Sequence, residues 1–81
     1  MSKQEMLNEI LQIIARVTEH DISVVTEDTG LVGELNLSSL EILVILTEVE
    51  NRFHVSVPVV EYKTIITVGD YIDVVMRHMN G

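Results

Sequence analysis

The residues best placed for chemistry are two adjacent serines at the start of an apolar run. They lie in the segment Asn36-Leu37-Ser38-Ser39-Leu40, which continues directly into Glu41-Ile42-Leu43-Val44-Ile45-Leu46. The pattern places Ser39 on the first turn of a helix, with no obvious catalytic partner nearby. A helix N-terminus presents unpaired N–H groups and the positive end of the helix dipole, which favour an attached anion. We therefore interpret the Ser39 hydroxyl as the attachment point of a phosphate-linked prosthetic arm rather than as an activated nucleophile.

The composition argues against several classes of protein. The chain has 81 residues, a formal net charge of −8 and no cysteine. Binding to nucleic acid rests on Lys and Arg side chains that neutralise phosphates, so the acidic charge argues against a nucleic-acid partner and against anionic membrane surfaces. Partners with basic patches are expected instead. Without cysteine there is no disulfide scaffold, thiolate metal site or Cys nucleophile, so any thiol must come from a cofactor.

No segment is typical of secretion or of a membrane span. The first five residues lead straight into an amphipathic helix, and the longest strictly apolar run covers only residues 42–46. We therefore expect a cytoplasmic protein without membrane insertion, with residues 1–81 as one domain and a monomeric state. His20, His54 and His78 are scattered without metal-ligand spacing, and no metal site is expected.

The hydrophobic periodicity predicts an all-α fold, a small four-helix bundle. A first helix is predicted over residues 3–17, where apolar residues recur at helical spacing and Ser2 with Glu5 fits a capping box. A long connection over 18–37 follows, with a short helical turn at 23–26. Its apolar residues indicate a packed loop rather than a flexible linker.

The second helix is predicted over residues 39–53. Ser38 and Glu41 form a second capping box, which makes Ser38 the N-cap and Ser39 the first helical residue. An extended piece at 54–57 then ends at Pro58, and a short third helix is expected at 60–65. The last helix is predicted over 68–79, capped by Thr67 with Asp70 at the third position, and stopped by the segment Asn80-Gly81.

Three blocks of this sequence resemble the acyl carrier protein family. The first is Leu31-Val32-Gly33-Glu34-Leu35-Asn36-Leu37-Ser38-Ser39-Leu40-Glu41, similar to the family's pattern that ends in Asp-Ser-Leu. The second runs from Glu50-Asn51-Arg52-Phe53 to Val57-Pro58, and the third is Ile66-Thr67-Val68-Gly69-Asp70. All three fall at the family's spacing without a gap, and together with the first helix they cover most of the chain.

The resemblance implies a carrier domain with 4′-phosphopantetheine attached to Ser39 and flanked by Ser38 and Leu40. The arm would end in a thiol that holds acyl cargo as a thioester, so the protein would be a substrate of other enzymes and not an enzyme itself. Expected partners are a phosphopantetheinyl transferase and acyl-loading and acyl-using enzymes. The residues expected to contact these partners are Glu34, Glu41, Val44, Glu48 and Asn51. The residues expected to line an acyl pocket are Leu46, Val49, Phe53, Val57, Tyr62, Ile65 and Tyr71.

The sequence departs from the family's pattern at several of these positions. Ser38 stands where the family has Asp, Val44 where many members have Glu, and Asn51 and Arg52 fall in an acidic run. Tyr62 and Tyr71 stand where small residues are frequent; if their rings point inward, they narrow the pocket. These departures suggest a specialised carrier for lipid, lipopolysaccharide or secondary-metabolite synthesis.

Other functions stay open from the sequence alone. One is an unmodified, carrier-like helical interaction module, in which the apolar second helix binds a partner helix. Another is a peptidyl or aminoacyl carrier, although the segment before Ser39 lacks the Gly-Gly that often precedes the serine in such carriers. A small enzyme is the least supported, because no paired base and nucleophile, metal motif or phosphate loop is present.

Overall fold

Helices form most of the part of the chain that the structure, a computed structural model, describes: residues 1–19 and 21–79. Within these residues there are four helical segments: α1 over Lys3–Thr18, α2 over Ser39–Phe53, a 3₁₀ helix over Val59–Thr64 and α3 over Val68–Met79. The same residues contain no strand beyond an isolated antiparallel bridge between Gly30 and Thr67. The predicted all-α fold is confirmed. No helix in the described residues is long and apolar enough to cross a membrane.

Both predicted capping boxes are present. At the start of α1, the Ser2 hydroxyl accepts from the Glu5 N–H at 3.2 Å, and the Glu5 carboxylate accepts from the Ser2 N–H at 3.0 Å. α1 extends one residue beyond its predicted end at 17. The extra residue, Thr18, donates its hydroxyl hydrogen to the Ile14 carbonyl at 2.7 Å. Ser and Thr hydroxyls on helices commonly bond to the carbonyl four residues earlier in this way.

The connection between α1 and α2 is a series of tight turns. The Val25 N–H donates to the Ile22 carbonyl at 3.1 Å, and the Thr29 N–H donates to the Thr26 carbonyl at 3.1 Å. The predicted helical turn at 23–26 is therefore a single hydrogen-bonded turn, with no helix at these residues. Short polar residues favour turns of this type because their side chains bond to the nearby backbone.

The connection is fixed onto the start of α3 at Gly69. The Gly69 N–H donates to the Glu27 carbonyl at 2.8 Å, and a Cβ at position 69 would lie 3.0 Å from that oxygen. Glycine allows this close approach without displacing Glu27. The Leu31 N–H donates to the Ile66 carbonyl at 3.0 Å, which holds the next part of the connection beside α3.

The last two helical segments differ slightly from their predicted bounds. The short third helix was expected at 60–65; it is a 3₁₀ helix that begins and ends one residue earlier. α3 begins as predicted, with the Thr67 hydroxyl accepting from the Asp70 N–H at 3.1 Å. The Asp70 carboxylate accepts from the N–H groups of Thr67 and Ile66, and these bonds lower the pKa of Asp70. The predicted stop at Asn80-Gly81 lies outside the described residues.

The hydrophobic core lies between α1 and the two helices that pack against it, α2 and α3. Its members are aliphatic side chains with one tyrosine, as expected for a chain with three aromatic residues. The helices contribute Met6, Leu7, Ile10, Ile13, Ile14, Ile45, Leu46, Val49, Val68, Tyr71, Ile72, Val74 and Val75. The connections contribute Val25, Leu31, Leu35, Leu37, Val55 and Val57. Because the segment before Ser39 has three leucines in the core, the start of α2 is held in place.

Candidate functional site

Ser39 is the first residue of α2, and its side chain is exposed. The preceding residue, Ser38, makes the cap: its hydroxyl accepts from the Glu41 N–H at 3.1 Å, and the Glu41 carboxylate accepts from the Ser38 N–H at 3.0 Å. Ser38 and Glu41 form the cap with each other, and the Ser39 hydroxyl makes no hydrogen bond to any residue in the described ranges. It is therefore available for modification.

The segment before the cap positions Ser39 through backbone hydrogen bonds. The N–H groups of Glu34 and Leu35 donate to the Gly30 carbonyl at 3.2 and 3.0 Å, and the Asn36 N–H donates to the Val32 carbonyl at 3.1 Å. Asn36 has a φ of 54°, a left-handed conformation that asparagine tolerates better than most residues. The chain reverses there and enters α2.

The environment of the Ser39 hydroxyl suits a phosphate group. In the first turn of α2, the N–H groups of Ser39 and Leu40 have no carbonyl partner within the helix and none among the other residues that the structure describes. Together with the helix dipole, these N–H groups favour an anion attached at this point. The first turn therefore fits a phosphodiester at Ser39.

A cavity of about 200 Å³ lies next to this helix start. The residues that line it come from α2, from the connection before α2 and from the 3₁₀ segment: Leu31, Val32, Ile42, Leu46, Tyr62 and Ile65. Ile42 is three residues after Ser39, so the two lie on neighbouring positions of one helix face. Val32 is 61% exposed, which places it at the rim. The cavity is therefore mostly apolar, open to solvent and adjacent to Ser39.

Three of the seven residues expected in an acyl pocket line this cavity: Leu46, Tyr62 and Ile65. The others lie elsewhere. Val49, Val57 and Tyr71 are buried in the core, and Phe53 packs against it half-buried. Leu31, Val32 and Ile42 also line the cavity and were not predicted from the sequence. The signal for Ile42 was its spacing from Ser39, whereas the two loop residues carry no periodic signal.

The residues expected to contact partners lie on or near one side of α2. They differ in whether their side chains are already bonded to other residues of the protein. Val44 and Asn51 are exposed. Glu48 forms an ion pair with Arg16 of α1, and Glu41 is held in the capping box. Glu34 lies in the connection, where its carboxylate accepts from the Gly30 N–H at 2.9 Å. Much of the negative charge near Ser39 is therefore already engaged within the molecule.

The outward face of α2 is apolar near Ser39. Leu40, Leu43 and Val44 are 69%, 58% and 39% exposed. These three residues are defined here as the apolar face of α2. Exposed apolar residues that cluster beside a reactive group are typical of an interaction site.

Arg52 falls where the family has a run of acidic residues. Its side chain donates to the Glu9 carboxylate of α1 at 2.8 Å.

The described residues contain no cluster of His, Cys, Asp or Glu that could hold a metal ion. His78 pairs with Glu61, which also binds Arg77, so that histidine belongs to an ion-pair group on α3. His54 ends α2 in a left-handed conformation with φ 54°, and His20 lies outside the described residues.

Comparison with known proteins gives a consistent result. The family model described as "Phosphopantetheine attachment site" matches residues 8–75, which include Ser39 and the cavity. An acyl carrier protein of Lactobacillus acidophilus is 31% identical over 78 residues, covering 96% of this chain and 98% of the relative. The chain belongs to the acyl carrier protein family. An acyl carrier protein of Rubrobacter xylanophilus is also 31% identical, over 81 residues and the full length of both proteins. The meromycolate extension acyl carrier protein of Mycolicibacterium aurum is 29% identical over 76 residues, covering 94% of this chain and 78% of the relative.

Membership of the family fixes the general function. Acyl carrier proteins are carriers and not enzymes, and their prosthetic group is phosphopantetheine. The group supplies the thiol that this chain, which has no cysteine, does not contain. Interaction with a phosphopantetheinyl transferase and with acyl-handling enzymes follows from the same membership.

Proposed function

We propose that Ser39 carries the phosphopantetheine and that this acyl carrier protein serves a specialised set of enzymes. One observation supports the attachment site above all: Ser39 is the first residue of α2 with an exposed hydroxyl, while Ser38 makes the cap. Ser38 is a poor alternative, because its hydroxyl oxygen is bonded to the Glu41 N–H.

The attachment site is tested by the intact mass of the protein after incubation with coenzyme A and a broad-specificity phosphopantetheinyl transferase. We expect one phosphopantetheine on the wild type and on Ser38→Ala, which loses the cap but keeps Ser39. We expect none on Ser39→Ala. A mass gain on Ser39→Ala would contradict the proposal.

A lack of mass gain on the wild type, with a panel of transferases, would favour an unmodified interaction module. The apolar face of α2 is the feature that such a module would use. Ser38→Asp would then show whether the missing negative charge beside Ser39 is the cause. If Ser38→Asp is modified, the carrier function stands, and the wild type requires a dedicated transferase.

The specialised role is supported by the surface around Ser39. Val44, which stands where many members of the family have Glu, is exposed on α2, and Glu48 is paired with Arg16. We propose that Glu34, Glu41, Val44, Glu48 and Asn51 contact the partner enzymes, whose docking surfaces would be basic at the edge and apolar opposite Leu40, Leu43 and Val44. The cargo would be an acyl chain made in a specialised lipid, lipopolysaccharide or secondary-metabolite pathway. A single domain over residues 1–81, a cytoplasmic location and a monomeric state stay predictions.

Loading by a housekeeping fatty-acid transacylase tests the specialised role. We expect this carrier to be loaded at least about tenfold more slowly than a housekeeping carrier, because charge complementarity sets much of the association rate. Asn51→Asp on α2 should raise the rate, and the matched change Asn8→Asp on the exposed side of α1 should not. Equal loading of the wild type and a housekeeping carrier would contradict the specialised role.

A further inference from the structure

The three carboxylates of α2 are held in two different ways. Glu41 and Glu50 accept from backbone N–H groups at 3.0 and 2.9 Å, in the cap of the helix and in the segment that follows it. Glu48 instead pairs with the guanidinium of Arg16, which lies on α1. Among the described contacts, Glu48 alone of the three has a charged partner. Its free charge therefore depends on the position of one side chain from another helix.

The pair of Arg16 with Glu48 lies at the surface, over the groove between α1 and α2. The side chain of Arg16 is 67% exposed, whereas that of Glu48 is 35% exposed, so the guanidinium covers the carboxylate from the solvent side. A second pair crosses in the opposite direction, from Arg52 of α2 to Glu9 of α1, at 2.8 Å. Both pairs line the same groove, whose volume is about 60 Å³. The charge of Glu48 is therefore neutralised locally.

Glu48 continues a row of exposed residues that begins beside Ser39. Leu40, Val44 and Glu48 follow one another at spacings of four, so they are neighbours along one side of α2. Leu40 and Val44 are exposed members of the apolar face of α2. At 1.5 Å per residue, Glu48 lies about 6 Å along the helix from Val44. A partner enzyme that covers the apolar face would therefore also meet the ion pair.

A cation on such an enzyme would compete with Arg16 for the Glu48 carboxylate. Complementary charges across an interface accelerate association, whereas like charges brought together weaken it. A partner cation at this point would meet the guanidinium first and would have to displace it. The guanidinium presents its N–H groups in a planar fork that matches a carboxylate, so a lysine ammonium is the weaker competitor. The pair therefore disfavours an enzyme that relies on a cation here.

We propose that Arg16 is a specificity-determining residue of this carrier: it pairs with Glu48 and thereby disfavours acyl-handling enzymes that dock through a cation opposite this turn of α2. An enzyme suited to the carrier would meet the pair as a neutral surface next to the apolar face of α2. The inference deepens the proposed specialised role and rests on the docking of partners to α2 that was proposed with it.

The test uses the unmodified protein as an inhibitor of a housekeeping fatty-acid transacylase while that enzyme loads a housekeeping carrier. The inhibition constant reports docking and requires no prosthetic group on this chain. At low salt we expect Arg16→Gln to inhibit about threefold more tightly than the wild type, because Glu48 is then free to bind a cation of the enzyme. The difference should largely disappear at 1 M salt, which screens exposed charges.

Two further variants decide the origin of the gain. Arg77→Gln on α3 removes the same charge, and its partner Glu61 still contacts His78, so this control should inhibit as the wild type does. The double variant Arg16→Gln with Glu48→Gln should return to the wild-type inhibition constant. No gain in Arg16→Gln, an equal gain in Arg77→Gln, or a gain that persists in the double variant would overturn the proposal.

A merely structural role for Arg16 gives a different result. Arg16→Gln would then have a lower urea midpoint than the wild type and an unchanged inhibition constant, which would overturn the proposal. Failure of the proposed docking to α2 is distinguished by Asn51→Asp in the same assay. If partners do not dock there, Asn51→Asp and Arg16→Gln both leave the inhibition constant unchanged. If docking occurs but Arg16 has no role in it, only Asn51→Asp strengthens inhibition.

Discussion

The starts of α1 and α2 are built alike but have different surroundings. Each has a serine cap and a glutamate three residues later, with the two hydrogen bonds of the box between 3.0 and 3.2 Å. In α1 the first helical residue is Lys3, which forms ion pairs with Glu27 and Asp73 at 2.9 and 3.1 Å. In α2 it is Ser39, which has no partner among the described residues and lies beside the cavity.

The comparison shows what a capping box does and what it does not do. The box fixes where a helix begins, and it leaves the side chain of the first helical residue free for another role. At α1 that side chain ties the helix to the connection and to α3. α3 itself starts from Thr67 and Asp70, with the buried Val68 as its first residue. An exposed hydroxyl next to a cavity distinguishes α2 from both.

The largest expected effect comes from moving the Ser-Ser pair from the start of α2 to the start of α1. Lys3→Ser creates a second Ser-Ser pair at a helix start. We expect it to acquire one phosphopantetheine, as the wild type does, because position 3 belongs neither to the cavity described above nor to the apolar face of α2. The double variant Lys3→Ser with Ser39→Ala should acquire none. One phosphopantetheine on that double variant, measured as intact mass, would mean that a capped helix start alone is sufficient.

Removing either cap should have a moderate and similar effect on stability. Ser2→Ala and Ser38→Ala each leave an N–H of the first turn without a partner, and each should lower the free energy of unfolding by about 1 kcal/mol. Urea denaturation measures both. Ser38→Asp is the control, since aspartate caps equally well and should retain wild-type stability within a few tenths of a kcal/mol. A stable Ser38→Ala variant would mean that the leucines before Ser38 alone fix the start of α2.

A smaller effect is expected from acid, at the start of α3. The N–H groups of Thr67 and Ile66 hold the pKa of Asp70 below its ordinary value of 3.8. A lowered carboxyl pKa stabilises the folded state above the ordinary value, and this contribution is lost as the pH falls through the folded-state pKa. Urea midpoints of the wild type and Asp70→Asn should therefore converge below pH 3.8. A constant difference down to pH 2 would show that Asp70 acts through packing instead.

The smallest effect is expected at Lys3. The carboxylates of Glu27 and Asp73 raise its pKa above the ordinary 10.5, so its contribution is present at neutral pH and is lost as the pH rises through the folded-state pKa. Because these groups are exposed, salt should screen them. Lys3→Gln should be slightly less stable than the wild type at low salt and equal to it at 1 M salt. A difference that survives at 1 M salt would indicate that the aliphatic part of Lys3 matters more than its charge.

The sequence predicted the elements of the fold better than the contacts between them. Capping residues and apolar periodicity are local signals, and they located the starts of α1, α2 and α3. The predicted end of α1 was one residue short, because the apolar periodicity stops at Val17 whereas the backbone stays helical through Thr18. The 3₁₀ helix was displaced by one residue, since its hydrogen bonds are short-range and its sequence has little periodicity.

The candidate site was predicted less completely, for a different physical reason. Ser39 and the adjoining helix face follow from helical spacing, whereas Leu31 and Val32 reach the cavity only because the connection folds back through its bonds to Gly30 and Ile66. The pairing of Glu48 with Arg16 joins residues 32 positions apart, and no local pattern predicts it. Tyr71 is 2% exposed and belongs to the hydrophobic core rather than to the cavity wall.

The most direct test of the account locates the prosthetic group on the wild-type chain. The protein is modified with coenzyme A and a phosphopantetheinyl transferase, and its peptides are fragmented in a mass spectrometer to separate Ser38 from Ser39. We predict phosphopantetheine on Ser39 alone, with Ser2 and Ser38 unmodified. Phosphopantetheine on Ser38 would contradict it, because the residue that caps α2 would then be the one that carries the arm.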